Sequence, residues 1–116
     1  MVIVTNWFIP VWADAMFCGF FILIRPEHKD NKALLAHEKE HRRQFFRNPI
    51  AFILGYRFSK GRRYELELEA YAVQAKWWRN DPSYNDRVRQ YAIFLSDNYG
   101  VNKTFDECYA DLLVRL

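Results

Sequence analysis

The sequence predicts an α+β fold in which a small N-terminal β-sheet packs on a mainly helical core. Three observations predict it. β-Branched and aromatic residues crowd the first 25 positions, helical periodicity dominates from about residue 32 onward, and 51% of the 116 residues are apolar. Residues 1–116 are expected to form a single domain, because a chain of this length rarely supports two independent cores.

The N-terminal segment predicts two or three short strands. Residues 2–25 are rich in Val, Ile, Phe and Trp, and Pro10, Asp14 and Gly19 interrupt them. Phe20–Ile24 is the clearest strand among them. The segment lacks a basic start and carries a proline inside its apolar part, so we do not expect it to be a secretory signal.

The next segment, KALLAHEKEHRRQFFR, predicts a first helix from about Lys32 to Arg47. Asn31 is suited to cap its N-terminus. Asn48-Pro49 should end it, because the proline ring disfavours helical geometry in the residue before it. The residues at helical spacing are Leu34, His37, Glu38, His41 and Phe45.

The C-terminal half predicts three further helices. Pro49–Phe58 is an apolar connector whose conformation the sequence leaves open, and a turn signal follows it. A second long helix is expected from Arg62 to Asn80, with an apolar stripe of Leu66, Ala70, Val73 and Trp77.

Asp81-Pro82 should open a third helix that closes near Asn98 to Gly100. Thr104 and Glu107 form a capping-box pattern before a short final helix. The inner face of the third helix is predicted to consist of Val88, Tyr91, Ala92 and Leu95.

Composition limits the partners and the compartment. The formal net charge is +3 with acidic residues interspersed, so a nucleic-acid partner is not required. The apolar stretches fall short of the ~20 residues that cross a bilayer, and no membrane span is expected. Cys18 and Cys108 stand far apart in sequence without a CxxC pattern, which favours a reducing, cytoplasmic location.

His37-Glu38-Lys39-Glu40-His41 is an HExxH sequence inside the predicted first helix. Two histidines four residues apart lie on one helix face, so both imidazoles can reach one ion. Glu38 is rotated about 100° from His37 and can take a proton from a water that the metal activates. The pattern therefore predicts a Zn²⁺ site with Glu38 as general base.

Catalytic zinc commonly takes three protein ligands, so a third must come from elsewhere in the chain. His28, the only other histidine, lies before the helix and is expected at the surface. The second helix offers Glu65, Glu67 and Glu69, and an antiparallel neighbour of the first helix could present one of them to the ion.

HExxH followed some tens of residues later by a helical glutamate resembles the gluzincin class of zinc metallopeptidases, especially its small bacterial or phage-encoded members. The resemblance covers residues 33–74 and implies a zincin-like fold. Glu67-Leu68-Glu69-Ala70-Tyr71 is similar to the Glu-x-x-Ala-Asp pattern of such families, which implies Glu67 as third ligand, with Glu69 as its rival. Tyr71 departs from the aspartate that supports a metal-bound histidine there.

The same resemblance implies a peptide or protein substrate. Zincins place an edge strand over the metal, where it pairs with an extended substrate chain; Phe20–Ile24 is the candidate for that strand. Tyr64 and Tyr71 could stabilise an oxyanion, although core packing is the simpler interpretation. The small size leaves room for a homo-oligomer or a protein partner to complete the cleft.

Two interpretations from other classes stay open. The first is a catalytically inactive zincin-like protein that keeps its metal for interaction or structure. The second is a basic nucleic-acid-binding module, in which a cluster of cations would attract a phosphate backbone. That cluster consists of Arg42, Arg43, Arg47, Arg57, Lys60, Arg62 and Arg63.

Overall fold

The computed structural model describes residues 1–19 and 21–116 of the chain and confirms the predicted α+β class. A three-stranded sheet packs on five helices. The strands are β1 (Val2–Val4), β2 (Ala15–Cys18) and β3 (Phe21–Ile24). The helices are α1 (Lys32–Arg47), α2 (Pro49–Phe58), α3 (Lys60–Lys76), α4 (Tyr84–Asp97) and α5 (Phe105–Arg115), and a 3-10 turn occupies Pro26–His28.

The sheet has the order β1-β3-β2, with β1 parallel and β2 antiparallel to β3. β3 therefore lies in the centre, which explains why Ile22 and Ile24 are fully buried. The expectation that this strand forms a free edge was wrong, since both of its edges are hydrogen-bonded. Of the predicted strand, Phe20 lies outside the described residues. The edge strand that contacts α1 is β2.

The first helix has the predicted bounds. The Asn31 side chain accepts a hydrogen bond from the backbone N–H of Leu34, and so caps α1. Asn48 ends α1 and also caps α2, because its side chain accepts a hydrogen bond from Ala51 N–H. Pro49 occupies the first helical position of α2. The connector left open by the sequence is therefore a helix, and none of its side chains is buried.

The second predicted helix begins and ends earlier than expected. Ser59 accepts a hydrogen bond from Arg62 N–H and caps α3, which therefore starts at Lys60. At the other end, Trp77 N–H donates to Gln74 O and Trp78 N–H donates to Ala75 O, each three residues back. The α-helical hydrogen bonds to the fourth residue back are therefore replaced by the tighter pattern of a 3-10 turn. Trp77 consequently lies outside the apolar stripe and is exposed.

α4 begins at Tyr84, two residues after the predicted opening at Asp81-Pro82, and the other predictions on α4 and α5 are confirmed. The predicted inner face of α4 is buried, and Thr104 and Glu107 form the capping box of α5. α3, α4 and α5 together enclose the main apolar cluster, which includes Leu68, Leu95 and Leu112. Among the described residues, no helix is both long and apolar enough to cross a membrane.

Candidate metal centre

Three predicted ligand side chains converge between α1 and α3. The Nε2 atoms of His37 and His41 lie 3.1 and 3.0 Å from Oε1 of Glu67. All three side chains are buried, and their potential ligand atoms lie within 4.8 Å of one another. The helical spacing of the histidines provides two of these groups, and the packing of α1 on α3 provides the third.

Two glutamines fix the orientation of the imidazoles. The Nδ1–H group of His37 donates to Oε1 of Gln74 at 2.9 Å, and that of His41 donates to Oε1 of Gln44 at 3.0 Å. Gln44 in turn donates from Nε2 to the backbone carbonyl of Leu66 at 3.0 Å, which sets the direction of its amide. A neutral imidazole held in this way directs the Nε2 lone pair at Glu67.

Lone pairs that face a carboxylate require a cation between them, either a proton or a metal ion. Burial alone would lower the pKa of His41, but the adjacent Glu67 carboxylate raises it to about 9. Burial alone would raise the pKa of Glu67, but the two histidines hold it well below its usual range. The site is therefore built to hold positive charge in the protein interior.

The donor set suits zinc. Zinc binds imidazole nitrogen at about 2.0–2.1 Å and carboxylate oxygen at about 2.0–2.2 Å, so two ligand atoms in a tetrahedron lie about 3.3 Å apart. The separations of 3.0 and 3.1 Å from Glu67 fall close to that value. Three protein ligands would leave a fourth position open.

Glu38 lies beside the three converging groups without being one of them. It is 6% exposed and lines the same cavity as the two histidines and Glu67. Burial raises its pKa, partly opposed by His37, His41 and a hydrogen bond from the Phe17 backbone. A carboxylate with a raised pKa is a better proton acceptor near neutral pH.

The sequence interpretation missed the two glutamines. Tyr71 occupies the position of the supporting aspartate, and its ring packs on His37 at 4.4 Å instead of bonding to Nδ1. Gln74 performs that role from two helical turns after Glu67, and Gln44 performs it from three residues after His41. Their spacing from the predicted ligands could have identified both, since each lies on the same helix face.

Tyr56 is a second residue that the sequence did not single out. Its hydroxyl donates a short hydrogen bond to Oε2 of Glu67, and its ring lies 6.1 Å from that of His41. Burial and the Glu67 charge raise the pKa of Tyr56, so the phenol remains a donor. It was missed because Pro49–Phe58 had no assigned conformation.

The other candidate tyrosines pack in the core. Tyr64 donates to Asp111 at 2.6 Å, and the Tyr71 hydroxyl pairs with that of Tyr99 at 2.7 Å. Neither Tyr64 nor Tyr71 lines the cavity that opens onto the three ligand side chains. Their positions agree with core packing, the simpler interpretation from the sequence.

The remaining candidate ligands lie apart from the histidine pair. Glu69 accepts a long hydrogen bond from Gln44 and lies 3.7 Å from Arg43, whereas Glu65 pairs with Arg115. His28 lies 3.3 Å from Asp14 near the surface.

A cavity of about 430 Å³ opens onto the converging groups. The wall beside α1 and α3 carries the polar side chains, and the opposite wall consists of residues from the N-terminal segment and α2. Its apolar and aromatic lining residues include Pro10, Trp12, Met16, Phe17, Phe52 and Ile53.

The outer edge of β2, which pairs with no further strand among the described residues, borders this cavity. Arg25 N–H donates to the Asp14 carbonyl at 3.0 Å, so hydrogen-bonded pairs alternate from that position along β2 and β3. Ala15 and Phe17 therefore direct their backbone groups away from β3. Ala15, Met16 and Phe17 line the cavity, so this edge of β2 borders the site.

Comparison of the chain with protein-family models, with curated proteins and with solved structures finds no match.

Proposed function

We propose that this protein is a zinc-dependent hydrolase that cleaves peptide bonds. The observation that carries the proposal is the buried convergence of His37, His41 and Glu67, with Glu38 beside them on the wall of an open cavity. Two neutral imidazoles and one carboxylate form a ligand set of catalytic zinc sites. Gln44 and Gln74 support it, because oriented imidazoles bind metal more tightly.

A Zn²⁺ ion held by the three ligands would supply Lewis acidity to a substrate carbonyl and lower the pKa of the attacking water. Glu38 accepts a proton from that water as its oxygen bonds to the carbonyl carbon. It then returns the proton to the departing amine nitrogen as the carbon–nitrogen bond breaks. Tyr56 holds Oε2 of Glu67 and keeps the carboxylate oriented.

The β2 edge supports a peptide as substrate. Ala15 and Phe17 offer outward-facing backbone groups at the cavity, and an extended peptide can pair with such groups as an added strand. The apolar walls of the cavity suit the side chains of that peptide. Main-chain pairing beside Glu38 would bring a scissile bond next to the general base.

Metal content tests the ligand set. We expect about one zinc per chain in untagged wild-type protein by mass spectrometry, and loss of that zinc in His37→Ala and Glu67→Ala. Glu69→Ala is the matched control, since it removes a carboxylate two residues away, and it should retain the metal. Loss of zinc in Glu69→Ala but not in Glu67→Ala would contradict the assigned ligand.

Activity tests the hydrolytic step. Glu38→Gln should keep the zinc and lose about 10²- to 10⁴-fold in kcat on any peptide that the wild type cleaves. Glu40→Gln, whose parent side chain pairs with Arg43, should retain activity. A zinc-loaded wild type that cleaves nothing in a broad peptide library would indicate a non-catalytic interaction protein. Metal-free protein that binds nucleic acid would favour the binding-module alternative.

A further inference from the structure

A second hollow of about 310 Å³ continues the cavity away from the converging ligands. Trp12, Tyr56, Arg57 and Tyr99 line both spaces, so the two form one groove. The second hollow adds Arg63 and Asn98, and no Asp or Glu of the described chain lines it. The groove thus runs from a wall that carries carboxylates to an end that carries cations.

Arg63 has a structural role at this end. Its guanidinium donates three hydrogen bonds, to the backbone carbonyls of Tyr56, Tyr99 and Arg57, at 2.7, 2.7 and 3.1 Å. These bonds tie the last turn of α2 to the segment after α4. They also hold the backbone of Arg57 in place at the rim of the groove.

Arg57 is a cation that pairs with no carboxylate in the described part of the chain. Its guanidinium lies 5.9 Å from the Phe58 ring, and no ion pair within residues 1–19 and 21–116 involves it. By contrast, Arg43 and Arg115 form ion pairs with Glu40 and Glu65. An unpaired guanidinium on an anchored stretch of backbone, at the rim of a largely apolar groove, suits a carboxylate, which it can bind through two parallel hydrogen bonds.

We infer that the second hollow is a specificity subsite for a carboxylate of the peptide substrate, bound by Arg57. The inference rests on the proposed function, which makes the bound chain a substrate. The apolar walls accept the uncharged part of the peptide, and Arg57 selects against a cationic residue at the neighbouring position. The carboxylate comes either from an acidic side chain or from the C-terminus of the peptide.

Two peptide sets distinguish these sources. The first consists of fluorescein-labelled hexapeptides with both termini blocked, in which one position at a time is Glu, Gln or Lys. The second has neutral side chains and either a free or an amidated C-terminus. Dissociation constants are measured by anisotropy on zinc-loaded Glu38→Gln protein, which does not consume the peptide, and cleavage of the same sets is measured on the wild type.

At one position we expect Glu peptides to bind about three- to tenfold more tightly than Lys peptides. This range combines the gain of an exposed ion pair between Glu and Arg57 with the repulsion between Lys and Arg57. Arg57→Glu should reverse that preference, and added salt should weaken it. Arg47→Glu makes the same charge change at an exposed residue that lines neither hollow, and should leave the preference unchanged. A preference confined to the free C-terminus would assign the subsite to that carboxylate.

The two proposals fail separately. Arg57-dependent binding of acidic peptides without cleavage would support the subsite and overturn the peptidase assignment. Cleavage with equal rates for Glu and Lys peptides, or with a preference that Arg57→Glu leaves intact, would overturn the subsite alone. Absence of both binding and cleavage would overturn both.

Discussion

The two walls of the cavity differ in how firmly the fold holds them. The wall formed by α1 and α3 carries five buried polar side chains that are hydrogen-bonded to one another, and the apolar cluster of α3, α4 and α5 lies behind it. The opposite wall is lined by Pro10, Trp12 and Ala13, by β2 and by residues of α2. The N-terminal segment and α2, which carry this wall, expose many large apolar side chains, including Trp7, Phe8, Val11, Trp12, Ile50, Ile53, Leu54 and Phe58.

Arg25 forms hydrogen bonds that hold the N-terminal part of the exposed wall. Its guanidinium donates to the backbone carbonyls of Ala13 and Pro10 at 2.8 and 2.9 Å and to the Asn6 side chain at 3.1 Å. Groups that bind a metal or do chemistry need a fixed geometry, and surfaces that bind varied partners are often flexible and rich in loops. Under the proposed function, the chemistry would belong to the α1–α3 wall and the recognition of the peptide to the wall opposite.

The largest expected effect on folding lies behind the α1–α3 wall. Leu95 is fully buried in the cluster of α3, α4 and α5, so Leu95→Ala should lower the free energy of unfolding by about 2–5 kcal/mol. Leu54→Ala makes the same truncation on α2, where Leu54 is exposed, and should cost less than about 0.5 kcal/mol. Urea denaturation of the two variants measures the difference; equal losses would contradict the contrast between the walls.

The second prediction concerns pH and the polar side of that wall. In metal-free protein the pKa of His41 is raised to about 9, so protonated His41 stabilises the folded state. This contribution to the free energy of unfolding is fully present below about pH 6.5 and is lost as the pH rises through about 9. The lowered pKa of Glu67 contributes stability above its ordinary value of 4.5 that is lost on acidification. The Tm in chelator should therefore be highest between about pH 5 and 6.5.

Zinc binding should depend on pH in the opposite direction from the metal-free Tm, because a proton must leave His41 before the metal binds. The apparent zinc affinity should rise with pH toward about 9, by up to about tenfold per unit, as measured by competition with a chromophoric chelator. Glu67→Gln removes the carboxylate that raises the His41 pKa. It should flatten the decline of the metal-free Tm at alkaline pH, and an unchanged decline would contradict the assigned cause.

The third prediction concerns the glutamines that orient the histidines. Gln44→Leu removes the acceptor for His41 Nδ1–H and should weaken zinc binding about 10- to 100-fold. Gln44→Glu keeps an acceptor at that position and should restore most of the affinity. Gln90→Leu, at an exposed position on α4, is the matched control. Equal zinc affinities in Gln44→Leu and Gln90→Leu would show that orientation of the imidazole contributes little.

The sequence predicted the α1–α3 wall much better than the opposite one. HExxH, its helix and the N-cap at Asn31 are local patterns, and helical spacing alone brings His37 and His41 together. Glu67 came from the resemblance of the second helix to known metallopeptidases. Gln44 and Gln74 were missed because glutamine is not a usual metal ligand, although their helical spacing from the predicted ligands places them on the same helix faces.

The exposed wall depends on packing that no short pattern encodes. α2 is apolar without a buried face, so it lacked the periodicity that identifies a helix, and Tyr56 was missed with it. The order of the strands depends on pairing across the chain, which placed β2 instead of β3 at the edge. Trp77 was assigned to the core because periodicity continued past the point where tighter turns end α3.

The last prediction concerns the exposed wall itself, where a substitution should change substrate binding more than stability. Trp12 is 61% exposed, contacts Tyr99 edge to face at 6.1 Å and lines both parts of the groove. Trp12→Ala should change the free energy of unfolding by less than about 1 kcal/mol and leave zinc content unchanged. Under the proposed function its effect should be on KM, which we expect to rise about three- to tenfold with little change in kcat, because the ring would contact the peptide equally in the ground and transition states. Trp77→Ala truncates a tryptophan of similar exposure, 56%, that lines neither hollow, and should leave both constants unchanged. A fall in kcat for Trp12→Ala at constant KM would place this residue with the chemistry and would break the division between the two walls.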